Sequence, residues 1–204
     1  MPTPAPDFYL ASASPRRREL LAQLRYRFAA LQVDIDETPQ PGETAAGLVL
    51  RLAGQKAAAG ARLVALNDPR PVLGADTAVS VDGRILGKPA TRDEAVAMLS
   101  LLSGREHHVL TGVALLHAGR LDTAQSATRG VFRPVSVAEM QRYWDAGEAR
   151  DKAGGYAIQG LAAAFVERIE GSYSGVVGLP LFETARLLQD SGVSGWQQDA
   201  PDHE

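Results

Sequence analysis

The chain has 204 residues, 45% of them hydrophobic and 22% charged, which is enough apolar material for one ordinary domain with a core and too much for a disordered chain. It contains no cysteine, which excludes disulfide frameworks, thiolate zinc sites and cysteine nucleophiles and fits a reducing compartment. A net charge of −3 speaks against a general attraction to nucleic acid or anionic membrane, and no segment approaches the roughly 20 unbroken apolar residues of a membrane span.

In chain order, the opening MPTPAPDFYL lacks a basic flank followed by an apolar run. No secretory signal is expected, and the cytoplasm is the expected location. Phe8-Tyr9-Leu10 reads as a short strand, and Ser14-Pro15 as the start of a helix whose apolar stripe is Leu20, Leu21 and Leu24. Phe28 to Ile35 is a second strand ending in Asp36-Glu37. The loop Pro39-Gln40-Pro41-Gly42 leads into a long Ala- and Leu-rich helix from Glu43 to Leu63. Pro71 to Ala75 is an apolar strand, and Thr77 to Val81 with Arg84 to Leu86 forms a hairpin signal around Asp82-Gly83.

Thr91 with Glu94 offers a capping box opening the next helix. Val109 to Leu116 and Leu121 to Phe132 are strands joined at Ala118-Gly119. Val137 to Ala146 is a helix, Ala163 to Ile169 a strand and Leu181 to Leu188 a last helix. The pattern predicts an α/β fold with some antiparallel pairing, one domain over residues 1–193 and a polar, frayed tail over 194–204.

Three constellations carry candidate chemistry. Ser12-Ala-Ser14-Pro15-Arg16-Arg17 follows a strand and opens a helix, where unpaired N–H groups and the positive dipole end favour an anion. The two arginines oppose that dipole by about 0.3–1 kcal/mol each, and a bound phosphate would remove the conflict; the alternative is a capped surface helix with solvated arginines. Gly74-Ala75-Asp76-Thr77 places an aspartate at the end of a very apolar strand, ahead of Gly87-Lys88-Pro89. Asp76 suits a general base for water, a ligand for Mg²⁺ or a turn-forming residue. The spacing is not that of a Walker loop, which argues against a P-loop kinase or ATPase.

Asp151-Lys152-Ala153-Gly154-Gly155-Tyr156-Ala157-Ile158-Gln159-Gly160 combines close-approach glycines with Gln159, which presents an acceptor and a donor to match the imide edge of uracil or thymine. The alternative there is a structured glycine loop. The chain has 18 arginines and only three lysines, Lys56, Lys88 and Lys152. Two of these lie in the motifs and Lys56 sits in the long helix among small residues. Asp36-Glu37 is a second acidic site.

The ordered series SASPRRRELL, VDIDE, RLAGQKA, GADT, LGKP, LSG, TGV and DKAGGYAIQG, ending in GSYSGVVGLPL, resembles the Maf (septum formation) family of nucleoside triphosphate pyrophosphatases, from about Tyr9 to Leu188. AGGYAIQG is similar to the branch acting on dTTP and UTP rather than on 7-methyl-GTP. The resemblance implies a mixed twisted sheet with helices on both sides and two lobes around a cleft, similar to inosine triphosphate pyrophosphatases. It implies a homodimer that depends on Mg²⁺ or Mn²⁺.

Residue by residue, the resemblance makes Asp76 the proton acceptor and Ser14, Arg16 and Arg17 the phosphate-binding motif. It makes Lys56, Lys88 and Glu37 active-site residues, with Glu37 and Asp76 toward the metal, and ties Arg16, Thr77 and Gln159 to base selectivity. Lys152 matches the loop with no separate role, and Ala13 replaces a usual glycine. The implied reaction converts a nucleoside triphosphate and water to the monophosphate and diphosphate. The competing readings are a 7-methyl-GTP-type enzyme, a broad pyrophosphatase for modified pyrimidines, and a non-enzymatic cell-division regulator that binds a protein partner. Neither stable nucleic-acid binding nor membrane association is expected.

Overall fold

The computed structural model describes residues 5–65 and 68–195. A seven-stranded mixed sheet runs in the order β2-β1-β3-β5-β6-β7, with β4 paired to β3. Its parallel part consists of β1 (Phe8–Ala11), flanked by β2 (Phe28–Leu31) and β3 (Val72–Val81). Everything beyond β3 is antiparallel: β4 (Arg84–Leu86), β5 (Glu106–His117), β6 (Arg120–Phe132) and β7 (Val166–Glu170).

Helices cover both faces, as the α/β pattern predicts, and the two-residue pleat of β3 sorts the packing. Gly74, Asp76 and Ala78 face α2 (Ala45–Ala61), where Ala78 joins Leu48, Val49 and Leu52 in an apolar cluster. A Cβ on Gly74 would lie 2.2 Å from the Ala53 carbonyl oxygen, and one on Gly112 of the neighbouring strand 2.6 Å from that of Val49. Only glycine at these two positions lets α2 lie this close to the sheet, and that approach brings Lys56 down to it. Leu73, Ala75 and Val79 point the other way into the main core, with Phe8, Leu10, Leu115 and Phe132. That core is closed by α1 (Pro15–Gln23), α3 (Arg92–Leu102), α4 (Val137–Asp145) and α6 (Leu181–Asp190). Each large side chain buried there is worth roughly 1.5–3 kcal/mol over exposure.

Four expectations need correction. The second strand stops at Leu31 rather than Ile35, because its sole partner β1 ends at Ala11, opposite Leu31. Pro71–Ala75 and Thr77–Val81 are one strand, and Asp76 lies inside it: β5 pairs along it from Val72 to Ser80. Asp76 nonetheless sits just beyond the last parallel pair, Ala11 with Gly74, where the β1 side of the strand becomes free. The strand expected from Ala163 begins at Val166, opposite the end of β6 at Phe132, and Leu161–Phe165 form a 3₁₀ turn instead. At Thr91 only half of the capping box forms. Its hydroxyl accepts from the Glu94 N–H, while the Glu94 carboxylate reaches the N–H of Ala90.

The complete box stands at Ser136 and Glu139, opening α4. A short helix, α5 (Tyr173–Val177), was not anticipated. Of the expected frayed tail, residues 196–204 lie outside the described residues. Among the described residues no helix is long and apolar enough to cross a membrane.

Candidate active site

A cleft of about 560 Å³ opens where β1 ends, within the size range of small-molecule sites. It is lined by every residue to which the resemblance gives a site role: Ser14 ahead of α1, Arg16 and Arg17 in it, Glu37 from the loop after β2, Lys56 from α2, Asp76 and Thr77 from β3, Lys88 after β4, and Gln159; Asp36 of the acidic pair lies outside it and accepts from the Thr38 N–H at 2.9 Å. Lys152, which carried no assigned role, lines it too.

One wall is a chain of carboxylates and lysines. Lys56 Nζ lies 2.6 Å from Asp76 Oδ1 and 2.6 Å from Glu37 Oε1, and Lys88 Nζ lies 2.8 Å from Glu37 Oε2. Lys56 and Asp76 are each only 8% exposed, so their charges are placed in low dielectric and each depends on the other. Burial alone would raise the Glu37 carboxyl, but hydrogen bonds and charge from Lys56 and Lys88 outweigh it and hold it down at about 2. Glu37 reaches this position because the chain leaves the sheet at Leu31 and crosses toward α2. Arg51 of that helix secures the crossing, binding the Thr38 carbonyl at 3.1 Å and the Glu43 carboxylate at 2.6 Å.

The other wall is cationic. Pro15 opens α1 and Ser14 occupies the capping position, yet its side chain makes no cap hydrogen bond and the first turn holds no acidic residue. The N-terminal N–H groups and the dipole are therefore left without a protein anion. Arg17 is anchored: Nε donates to the Gly178 carbonyl at 2.8 Å, one terminal nitrogen to Ser12 Oγ at 3.2 Å and the other to Thr77 Oγ1 at 3.3 Å. Thr111 donates to the Gly175 carbonyl at 2.7 Å, so the 2.9 Å contact between the two threonines is a donation from Thr77 to Thr111. Thr77 thus accepts from Arg17, and the chain of bonds has one direction, ending on α5.

Arg16 has no hydrogen bond or ion pair among the described residues, and burial lowers its affinity for a proton. Lys152 is likewise lowered, first by burial and then by the Arg16 charge beside it. Two half-buried cations that disfavour one another mark a place where a multiply charged anion gains on binding.

Among the described residues no cluster of three or more His, Cys, Asp or Glu is arranged to hold a metal ion. Of the three carboxylates lining the cleft, Asp151 lies beside Arg16 and Lys152, while Asp76 and Glu37 share Lys56 at 2.6 Å each. This donor set fits Mg²⁺, which is commonly held by one or two carboxylates together with substrate phosphate oxygens rather than by an all-protein cage.

Four contributors escaped sequence reading: Ser12 as acceptor for Arg17, Thr111, the Gly178 carbonyl, and Tyr143 of α4, whose hydroxyl receives the Ala157 N–H at 3.0 Å. Thr111 lay in the TGV block, but its partner is 64 residues away and no local pattern announces it.

Fold and cleft together define an α/β protein with a cleft lined by arginines, lysines and carboxylates at the end of its parallel strands. The chain belongs to the Maf-like protein family, whose model matches residues 7–191. It is 51% identical over 197 residues to the dTTP/UTP pyrophosphatase of Saccharophagus degradans, covering 96% of this chain and 93% of that protein. It is 54% identical over 195 residues to the dTTP/UTP pyrophosphatase of Bordetella parapertussis (93% and 94% covered) and 52% identical over 187 residues to that of Hahella chejuensis (92% and 93%).

Proposed function

We propose that this chain hydrolyses dTTP and UTP, and modified pyrimidine nucleotides of the same shape, to the nucleoside monophosphate and diphosphate. One observation carries the reading: Asp76 and Glu37, joined through Lys56, share a single cleft with Arg16, Arg17, Lys88 and Gln159. The names of relatives at 51–54% identity over nearly the whole chain support the substrate.

A triphosphate brings about four negative charges, so catalysis is chiefly a matter of holding that charge with water in line. Arg16, Lys152 and the free end of α1 meet the phosphate tail, Arg17 braces that end of the cleft, and Ser14 adds a hydroxyl donor. Lys56 and Lys88 turn from their carboxylate partners toward the phosphates. Asp76 takes the proton from the water that attacks the α-phosphorus, and diphosphate leaves. Glu37 and Asp76 are the residues that would hold Mg²⁺ or Mn²⁺, which would supply further charge neutralisation. Gln159 reads the imide edge of the base, with Arg16 and Thr77 shaping its surroundings.

The protein works as one domain over residues 1–193, in the cytoplasm, as a homodimer. A panel of nucleotides with Mg²⁺ or Mn²⁺, scored for diphosphate against orthophosphate, tests the assignment. Diphosphate from dTTP and UTP is expected. Orthophosphate release, preference for 7-methyl-GTP, or no hydrolysis of any nucleotide would overturn it, the last in favour of a binding protein.

A further inference from the structure

Gln159 is exposed, and among the described residues its side chain makes no hydrogen bond. Its place in the cleft is set by the backbone of 153–160, and that backbone is held from outside. The Gly154 N–H donates to the Gly87 carbonyl at 2.9 Å, Ala157 N–H to the Tyr143 hydroxyl at 3.0 Å and Leu161 N–H to the Glu148 carboxylate at 2.8 Å. Within the segment, Tyr156 is the residue whose side chain reaches into the core for a polar partner: its hydroxyl meets His107 Nε2 at 2.8 Å.

His107 is an unusual core residue. It is 1% exposed on β5 and does not line the cleft. Its ring stands edge-on to Phe132 at 4.9 Å and to Tyr156 at 5.5 Å. Gly130 opposes it across the strand pair, and a Cβ there would fall 2.9 Å from Nε2, so the neighbouring strand is bare where the imidazole sits. Burial lowers His107 to about 4, leaving the ring neutral near pH 7. Apart from Tyr156, the polar group that reaches the ring is the Arg105 backbone. A buried imidazole is costly relative to a phenyl ring of similar size, and its one side-chain hydrogen bond holds Tyr156.

We infer that His107 is a positioning residue for base recognition: by holding the Tyr156 hydroxyl it fixes the loop that carries Gln159, without touching the nucleotide. The inference rests on the reading of Gln159 as the group that meets the base. Gly154 and Gly155, at φ +69° and +70°, fold the chain against Val79 and Pro89 and bring Tyr156 into reach of the histidine. The bond to His107 then sets which way the following residues run.

Calorimetric titration with UMP, which carries the base, and with diphosphate, which does not, separates this role from a general structural one. Tyr156→Phe removes only the hydroxyl. His107→Phe removes the partner from outside the cleft, and the double variant removes the imidazole and the hydroxyl together, so that neither is left without the other. Each is expected to weaken UMP binding about five- to tenfold and to leave diphosphate binding unchanged. Gln159→Ala placed on Tyr156→Phe is expected to add little, since the first change has already spoiled the second group's placement. Unchanged UMP affinity in Tyr156→Phe, equal weakening of UMP and diphosphate, or losses from Tyr156→Phe and Gln159→Ala that multiply would each overturn the inference. If Gln159→Ala alone leaves UMP binding intact, the base-reading role itself falls, a result distinct from failure of the histidine's role.

Discussion

Replacing Lys56 with methionine tests how strongly the catalytic wall depends on its buried cation. The change keeps a long, unbranched helix former and removes the charge that lies 2.6 Å from both Asp76 and Glu37. At an effective dielectric of about 20, unit charges about 4 Å apart attract by about 4 kcal/mol, most of which offsets desolvation. Glu37 keeps Lys88 at 2.8 Å, but Asp76, with its side chain 11% exposed, loses its ion pair and keeps only the more distant charge of Arg17. Loss of one partner from a buried pair typically costs 3–5 kcal/mol, and the partial exposure here puts the expected loss at the lower end, about 3 kcal/mol. Asp76→Asn alone leaves Lys56 paired with Glu37 and is expected to cost about 1 kcal/mol. In the double variant the uncompensated carboxylate is gone, so the two losses fall short of additivity by about 2 kcal/mol. Urea unfolding of the four proteins at pH 7 measures this coupling. Losses that add to within about 0.5 kcal/mol would refute the idea that Lys56 chiefly serves Asp76.

Asp76→Asn is also expected to lose most turnover of UTP while nucleotide binding stays measurable by calorimetry, and wild-type kcat would exclude Asp76 as the base. Glu37 gives a pH prediction. Its folded carboxyl is held at about 2, below its ordinary 4.5, so its contribution is fully present above pH 4.5 and is lost as pH falls toward 2. With 39% of its side chain exposed, solvent screening reduces that contribution to about 1 kcal/mol, read as the stability gap between wild type and Glu37→Gln, which should close across that window. Gly74→Ala drives a methyl group to 2.2 Å from the Ala53 carbonyl oxygen and 2.6 Å from the Ala57 nitrogen, both backbone atoms that yield only if α2 moves. A loss of about 3 kcal/mol in urea unfolding is expected, with a fall in kcat as Lys56 is carried away from Asp76.

What the sequence made legible was whatever depends on short spacing. Ser14-Pro15 marked the start of α1, Asp82-Gly83 the tight turn between β3 and β4, and Ala118-Gly119 the turn between β5 and β6. The segments bearing the site residues could be read as blocks, and all of them meet in the cleft. Long-range effects were hidden. Asp76 reads as a strand terminus because an aspartate between apolar residues looks like a stop; it is carried inside β3 by pairing with Gly112, which leaves room for α2. Ile35 reads as strand from its own alternation, but β1 ends opposite Leu31 and leaves it no partner. Arg17 reads as part of a phosphate-binding motif, but the bonds to Gly178, Ser12 and Thr77 that fix its placement join it to distant parts of the chain and could not be read. His107 carried no signal at all, since its partner Tyr156 lies 49 residues on.

With Asp76 as the base, water attacks the innermost phosphorus of the triphosphate and diphosphate leaves. Hydrolysis of UTP in water enriched in oxygen-18, with mass analysis of both products, tests it most directly. One heavy oxygen is expected in UMP and none in diphosphate; heavy oxygen in the diphosphate would mean attack on the β-phosphorus and would exclude Asp76 as the base for attack on the innermost one.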